Sequence, residues 1–96
     1  IDCSGLVQEL FKSINKKCPR DSKDQMIFFK KSVSLQNIRK GDLIFWKGHV
    51  AISINQKNLV HAYGPKKRVV IMPIKKTIKI LLIKNNLKVL AIKRPL

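Results

Sequence analysis

Three residues combine a reactive side chain with a suggestive position: Cys3 near the start of the chain, and the two histidines His49 and His61. Cys3 stands where an amphipathic helix is predicted to begin. At a helix N-terminus, unpaired backbone N–H groups and the positive end of the helix dipole favour the thiolate over the thiol. The position therefore predicts a thiol whose nucleophilic form is stabilised.

The two histidines fall on successive predicted strands, "HVAISI" and "NLVHAYG". Side chains alternate along a strand, so His49 shares a face with Ala51, and His61 shares a face with Leu59 and Tyr63. Neighbouring strands lie about 4.8 Å apart, which allows side chains on a common face to touch. A hairpin between the two strands would therefore bring the imidazoles side by side.

One thiol and two imidazoles have the chemistry of a cysteine peptidase. The first imidazole takes the thiol proton and later returns it to a leaving amine. A second polar group holds that imidazole in its useful tautomer. The chain order of cysteine, histidine and third residue is that of the papain-type arrangement, and Cys3, His49 and His61 have the placement for these three roles.

Two other interpretations of the same residues stay open. A cysteine near a chain end is often a small apolar residue, and a histidine in a strand is often a polar residue with its hydrogen bonds satisfied. A thiolate with two imidazoles also makes a three-ligand zinc site with one open position. The usual closely spaced pair of ligands is missing, which disfavours zinc.

Composition limits the class of protein. The chain has 96 residues, of which 45% are hydrophobic, so we expect one globular domain over residues 1–96. No apolar run reaches the roughly 18 residues of a membrane span. The first residue is not Met and no signal peptide is visible, so we expect the chain to be the C-terminal piece of something longer, with any localisation signal in the missing part.

The charge is strongly positive, with 21 lysines and arginines against 5 acids and a net charge of +16. Such a field attracts anionic polymers or anionic lipid without specificity. The lysines are scattered through every segment, and few aromatic residues lie among them, so no stacking platform for bases is predicted. We therefore expect a solvated basic surface and no specific nucleic-acid partner.

The order of the predicted elements is one helix followed by a series of strands. Residues 4–14 carry apolar side chains at helical spacing, with Asp2 or Ser4 as the N-cap. "CPRDSKDQ" has the composition of a loop, "DQMIFFKK" of a short helical turn, and "RKGD" of a turn. The strands are "DLIFW", "HVAISI", "NLVHAYG" and "RVVIMPI", and the tail predicts a short helix up to "NN" and a last strand, "KVLAIK". Short connections favour antiparallel hairpins and an α+β fold.

The two cysteines are not expected to form a disulfide. A helix starting at Cys3 would separate its sulfur from that of Cys18 by about 15–20 Å. Cys18 is then most simply a buried or half-buried residue without a chemical role.

The combination of "DCSGLVQ", "PRDSKDQ", "GDLIFWKGHVAI", "LVHAYG" and "AIKRPL", in this order, resembles the NlpC family of bacterial cell-wall cysteine peptidases. The resemblance covers essentially the whole chain. It implies a papain-like α+β fold in which the helix carrying the nucleophile packs against an antiparallel sheet. It implies no cofactor and no metal.

Carried over residue by residue, the resemblance makes Cys3 the nucleophile, His49 the general base and acid, and His61 the orienting third member. Asp2 and Ser4, which flank the nucleophile, would help to bind the substrate peptide and its free amine where it has one. The residues expected to shape the cleft around the sheet edge are Arg20, Asp21 and Gln25.

The substrate implied by the resemblance is the stem peptide of peptidoglycan, cut between γ-linked D-glutamate and the diamino acid that follows. The compartment would be the periplasm, the outside of the cell or, for recycled fragments, the cytoplasm. The chain departs from the family pattern because a tyrosine and a glycine-rich stretch, normally about a dozen residues before the cysteine, are absent. Two rival hypotheses follow: a basic binding module for anionic wall polymer or nucleic acid, and a pseudoenzyme that keeps the fold.

Overall fold

A computed structural model describes residues 3–13, 18–63 and 68–95, with Cys3 and Tyr63 described by their backbone alone. The helices are α1 (Cys3–Ser13), α2 (Ser22–Phe28) and α3 (Ile74–Asn85), and Leu35–Asn37 forms a 3₁₀ turn. The strands are β1 (Leu43–Trp46), β2 (His49–Ser53), β3 (Asn58–Tyr63), β4 (Arg68–Pro73) and β5 (Ala91–Lys93).

The five strands form one antiparallel sheet in the order β4-β3-β2-β1-β5. Strands β1 to β4 follow one another as hairpins, and β5 returns to pair with β1 on its far side. The predicted α+β class and the four predicted hairpin strands are confirmed. The last strand is shorter than the predicted "KVLAIK".

Helices cover both faces of the sheet. On one face, Val7 and Phe11 of α1 pack with Phe45, Val50 and Ala62. On the other face, Ile74 and Leu81 of α3 pack with a second group of strand residues that includes Ile44, Ala51 and Leu59. Val50 and Ala51 belong to opposite cores, as the two-residue period of a strand requires.

Two positive-φ positions set the ends of elements. Gly48 has φ +71°, a left-handed conformation that glycine adopts without steric cost, and it lies between the paired residues Trp46 and His49. This tight turn makes His49 the first residue of β2. At the end of α3, Asn86 has φ 54° and its N–H donates to the carbonyl of Leu81, as expected for a left-handed helix cap at the predicted "NN" turn.

The helix starts differ from the prediction in two places. Ser4 is the second residue of α1 and its hydroxyl accepts a hydrogen bond from Arg20, so Ser4 as the N-cap is wrong; Asp2, the other predicted cap, lies outside the described residues. Helix α2 begins inside the predicted loop: Asp21 has an extended backbone, and its carbonyl accepts the hydrogen bond from the N–H of Gln25 that opens the helix. Asp and Ser favour caps and turns as single residues, which hid the start of this helix.

None of the helices in the described ranges is long and apolar enough to cross a bilayer.

Candidate functional site

The two histidines touch. Nε2 of His49 lies 2.8 Å from Nδ1 of His61, and the ring centroids are 5.0 Å apart. His49 opens β2 directly after the Gly48 turn, and His61 lies in the middle of β3. The predicted proximity of the two imidazoles is therefore confirmed, since strand alternation and the β2–β3 hairpin place both on the same face of the sheet.

Burial controls the ionisation of the histidine pair. His61 is 0% exposed and His49 is 8% exposed. Loss of hydration lowers the pKa of His61 from 6.5 to about 4, because burial disfavours the charged imidazolium. His61 is consequently neutral near pH 7. It can therefore form a hydrogen bond with His49 without placing a positive charge beside it.

Two further side chains lie close to the pair. The Trp46 ring lies 5.4 Å from the His49 ring, centroid to centroid. Sδ of Met72, on β4, lies 3.1 Å from Nε2 of His61. Sequence reasoning missed both residues. The sequence did contain a signal for Met72. In the β3–β4 register Val70 lies opposite His61, and Met72, two residues further along β4, lies on the same face of the sheet.

Cys3 is the first residue of α1, as predicted, but its side chain lies outside the described part of the chain. The backbone still locates this end of the helix. Ser4, the next residue, lines the same cleft as Gly48, the residue before His49. The chain segments that carry Cys3 and His49 therefore border one cleft.

The cleft has a volume of about 640 Å³, within the usual range of ligand sites. Four segments line it: the first turn of α1 at Ser4, the start of α2 at Asp21 and Ser22, the β1–β2 turn with Trp46, and Leu90 just before β5. Asp21 is one of the residues at the wall of this cleft, and its predicted part in substrate binding stays a prediction. Asp2 lies outside the described residues.

Arg20 and Gln25 hold the first turn of α1 in place. Nη1 of Arg20 donates to the hydroxyl of Ser4 at 2.9 Å. Nε2 of the fully buried Gln25 donates to the carbonyl of Ser4 at 3.0 Å and to the carbonyl of Pro19 at 2.9 Å. Through these two hydrogen bonds the Gln25 amide joins the first turn of α1 to the loop before α2, and its predicted part in shaping the cleft stays a prediction.

Cys18 differs from a reactive thiol in every described respect. It is a half-buried free cysteine that packs against the α1 core, and its Sγ donates to the carbonyl of Pro19 at 3.5 Å. Burial raises the pKa of the Cys18 thiol, so little thiolate forms near pH 7. The predicted half-buried Cys18 is confirmed.

Within residues 3–13, 18–63 and 68–95, no three side chains of His, Cys, Asp or Glu are grouped so that they could hold a metal ion. The zinc hypothesis required the thiol of Cys3, which is not among the described side chains.

Comparison with known proteins points to one family. The family model described as "NlpC/P60 family" matches residues 1–82. The chain is 35% identical to a gamma-D-glutamyl-L-lysine dipeptidyl-peptidase of Bacillus cereus, over 76% of this chain and 24% of that protein. It is 40% identical to the murein DD-endopeptidase/murein LD-carboxypeptidase MepS of Escherichia coli, over 65% of this chain and 36% of that protein. The chain thus spans about a quarter to a third of these relatives.

Solved structures agree with the sequence comparison. An NlpC/P60 family protein from Bacillus cereus superposes with a TM-score of 0.80 at 31% identity, covering 100% of this chain and 32% of that one. The P60 domain of the antigen MAP1204 from M. avium subspecies paratuberculosis superposes with a TM-score of 0.76 at 26% identity, covering 98% of this chain and 65% of that one. Because the family model matches residues 1–82, the chain belongs to the NlpC/P60 family, and the two relatives named above by their activity are peptidases.

Proposed function

We propose that this chain is a cysteine peptidase domain that hydrolyses peptidoglycan stem peptides, at the amide bond between γ-linked D-glutamate and the following diamino acid. One observation carries the proposal: the 2.8 Å contact between His49 and His61, at the end of the sheet where Ser4 of the cysteine-bearing helix lines the cleft. The names of the relatives, a γ-D-glutamyl-L-lysine dipeptidyl-peptidase and a murein peptidase, supply the substrate class.

In the proposed mechanism, Cys3 is the nucleophile and His49 the general base. His49 takes the thiol proton, and the thiolate attacks the carbonyl carbon of the γ-glutamyl bond, so that a C–S bond forms and the carbonyl oxygen becomes an oxyanion. The backbone N–H of Cys3, at the first residue of α1, is the proposed donor to that oxyanion. When the intermediate collapses, the C–N bond breaks and His49 returns the proton to the leaving amine of the diamino acid.

Water completes the reaction. It attacks the thioester while His49 takes one of its protons, and the γ-carboxyl group leaves as the thiolate is restored. His61 orients His49 throughout, because it is buried and neutral and makes a direct hydrogen bond to its Nε2. Asp21 at the cleft wall offers a carboxylate to a free amine on the substrate.

The experiment that tests the nucleophile uses the two thiols of the same chain. Iodoacetamide at pH 7 should alkylate Cys3 selectively, at least about tenfold faster than Cys18, because only a thiol of lowered pKa forms much thiolate at that pH. Peptide mapping by mass spectrometry reads both sites in one sample. A stem peptide containing γ-D-glutamyl-diamino acid should protect Cys3 and leave the rate at Cys18 unchanged.

The control variant is His49→Ala, which should slow alkylation of Cys3 and not that of Cys18. Equal rates at the two cysteines would contradict the activated thiol. Mass analysis of products from defined stem peptides then identifies the bond, and release of any product other than the γ-D-glutamyl-terminated fragment contradicts the proposed substrate.

A further inference from the structure

Met72 makes a contact with the histidine pair that the proposed mechanism does not use. It lies on β4, opposite Leu59 in the β3–β4 register, and is half-buried against the α3-facing core. Its Sδ is 3.1 Å from Nε2 of His61, on the ring nitrogen that does not face His49. His61 is therefore held between an imidazole on one side and a thioether on the other.

The chemistry of sulfur decides where the proton of a neutral His61 lies. A thioether carries no hydrogen and acts only as a weak acceptor. A proton on Nε2 makes the contact with Met72 a hydrogen bond, whereas a proton on Nδ1 would leave two lone pairs facing each other across a buried contact. Nδ1 of His61 then has the lone pair and accepts from the Nε2–H of His49.

We propose that Met72 is a positioning residue that fixes His61 as its Nε2–H tautomer and, through His61, leaves the lone pair of neutral His49 on Nδ1. The consequence for catalysis rests on the proposed function, because Nδ1 is then the nitrogen that accepts the thiol proton. The tautomer itself follows from the contacts of His61 with His49 and Met72 and needs no catalytic activity.

A thioether suits this place better than the acceptors that commonly orient histidines. A carboxylate at the same position would attract a proton to His61 and favour a positive charge inside the sheet. A carboxamide has both a donor and an acceptor, so it could stabilise either tautomer by rotating. Sulfur accepts without adding charge, which agrees with the lowered pKa of His61.

Nitrogen-15 NMR of the imidazole rings tests the proposal directly at pH 7. In the unmodified chain we expect His61 to carry its proton on Nε2 with an unprotonated Nδ1, and His49 to carry its proton on Nε2 when neutral. Met72→Leu removes the acceptor while keeping an apolar side chain of similar size. The population of the Nδ1–H tautomer of His61 should then rise about tenfold, as expected for loss of one hydrogen bond.

The matched control is Ile71→Leu, because Ile71 is the adjacent residue of β4, is 68% exposed and points to the other face of the sheet. This control should leave the His61 tautomer as in the unmodified chain. A proton on Nδ1 of His61 in the unmodified chain, a charged His61 at pH 7, or an unchanged tautomer in Met72→Leu would each overturn the proposal. If Met72→Leu fails to fold, the spectrum of the unmodified chain alone still decides.

Turnover provides the second measurement. With a stem peptide as substrate, Met72→Leu should lower kcat by about tenfold with little change in KM, because the lost hydrogen bond acts on the base and not on substrate binding. Ile71→Leu should leave kcat unchanged. An unmodified chain that cleaves no stem peptide contradicts the proposed function, while the NMR measurement, which needs neither Cys3 nor substrate, still confirms or overturns the tautomer.

Discussion

At the scale of single residues, the histidine pair joins two groups that could each carry a positive charge. Both being charged at 2.8 Å would be repulsive, and burial prevents it by lowering the pKa of His61 to about 4. The folded state thereby keeps His61 neutral near pH 7. This lowered pKa makes the stability of the folded state depend on pH.

We expect the chain to lose stability as pH falls from about 6.5 to about 4. His61 has its ordinary pKa near 6.5 in the unfolded chain, so across this window the unfolded state binds more protons than the folded state. The stability that depends on a neutral His61 is fully present above pH 6.5 and fully lost below pH 4. At about 1.4 kcal/mol per pKa unit, the loss is about 3 kcal/mol in the free energy of unfolding. Urea denaturation at pH 7, 5.5 and 4 measures it.

The control for this prediction is His61→Asn, whose amide can still accept from His49 and does not titrate in this range. The carboxylates and His49 remain, so the difference between the two chains isolates His61. A variant that loses as much stability as the unmodified chain between pH 7 and pH 4 would contradict a buried neutral His61.

Strand periodicity alone was sufficient to predict that His49 and His61 meet. It could not predict the contact of Arg20 with Ser4 or of Gln25 with Pro19, because these contacts join a loop to a helix and no period relates them. The contact between the two histidines, which lie on regular strands, was therefore predictable by counting residues, whereas the contacts that support the first turn of α1 required coordinates.

At the scale of elements, α3 is the layer that covers the sheet face bearing the histidines. Leu81 is 3% exposed and packs in the core of that face, and the adjacent Leu82 is 43% exposed. Leu81→Ala should lower the free energy of unfolding by about 2–5 kcal/mol, because it removes buried methyl groups and leaves a cavity. Urea denaturation measures the change.

Leu82→Ala is the matched control, since it makes the same chemical change in the same helix at an exposed position. It should cost less than about 1 kcal/mol. Equal losses in the two variants would mean that α3 does not pack against the sheet through Leu81.

Helix and strand patterns anticipated most of the fold; for α2 they predicted a helical turn over "DQMIFFKK" but missed where the helix starts. Helix α2 has seven residues, and only Ser22 and Gln25 among them are buried. A short helix with polar buried positions has no apolar stripe to reveal it. Gln25 stabilises α2 by hydrogen bonds to the carbonyls of Ser4 on α1 and of Pro19. These are tertiary contacts, and the spacing of residues within the helix does not predict them.

At the scale of the whole molecule, only 5 acidic residues offset 21 lysines and arginines, which leaves a net charge of +16. One of them, the buried Asp42, forms two hydrogen bonds with Arg94, from Nε to Oδ1 and from Nη2 to Oδ2, both at 2.9 Å. This carboxylate therefore joins the start of β1 to the end of β5. Because its charge is paired with that of Arg94, it does little to reduce the positive electrostatic field around the protein. Lysines such as Lys75, Lys76 and Lys79 on α3 are exposed.

We expect the chain to bind polyanions without sequence preference and with steep salt dependence. If six to ten phosphates of duplex DNA are contacted, affinity should fall by about 10³ to 10⁵ between 50 and 200 mM salt. Fluorescence anisotropy with two unrelated duplexes measures both properties. Cys3→Ala should bind equally, because the charge is unchanged.

A preference for one duplex, or binding that resists salt, would indicate a dedicated nucleic-acid site and contradict a scattered basic surface. Salt-dependent binding to wall polymer by a chain that hydrolyses no stem peptide would favour the binding-module hypothesis over the peptidase.

The packing of α1 against β2 and β3 has a consequence for synthesis of the chain. The helix emerges from the ribosome well before the strands that carry the histidines, and Met72 emerges later still. A nascent chain therefore carries the Cys3 thiol without its proposed base until the sheet has formed, so the proposed hydrolysis begins only when translation of the sheet is finished.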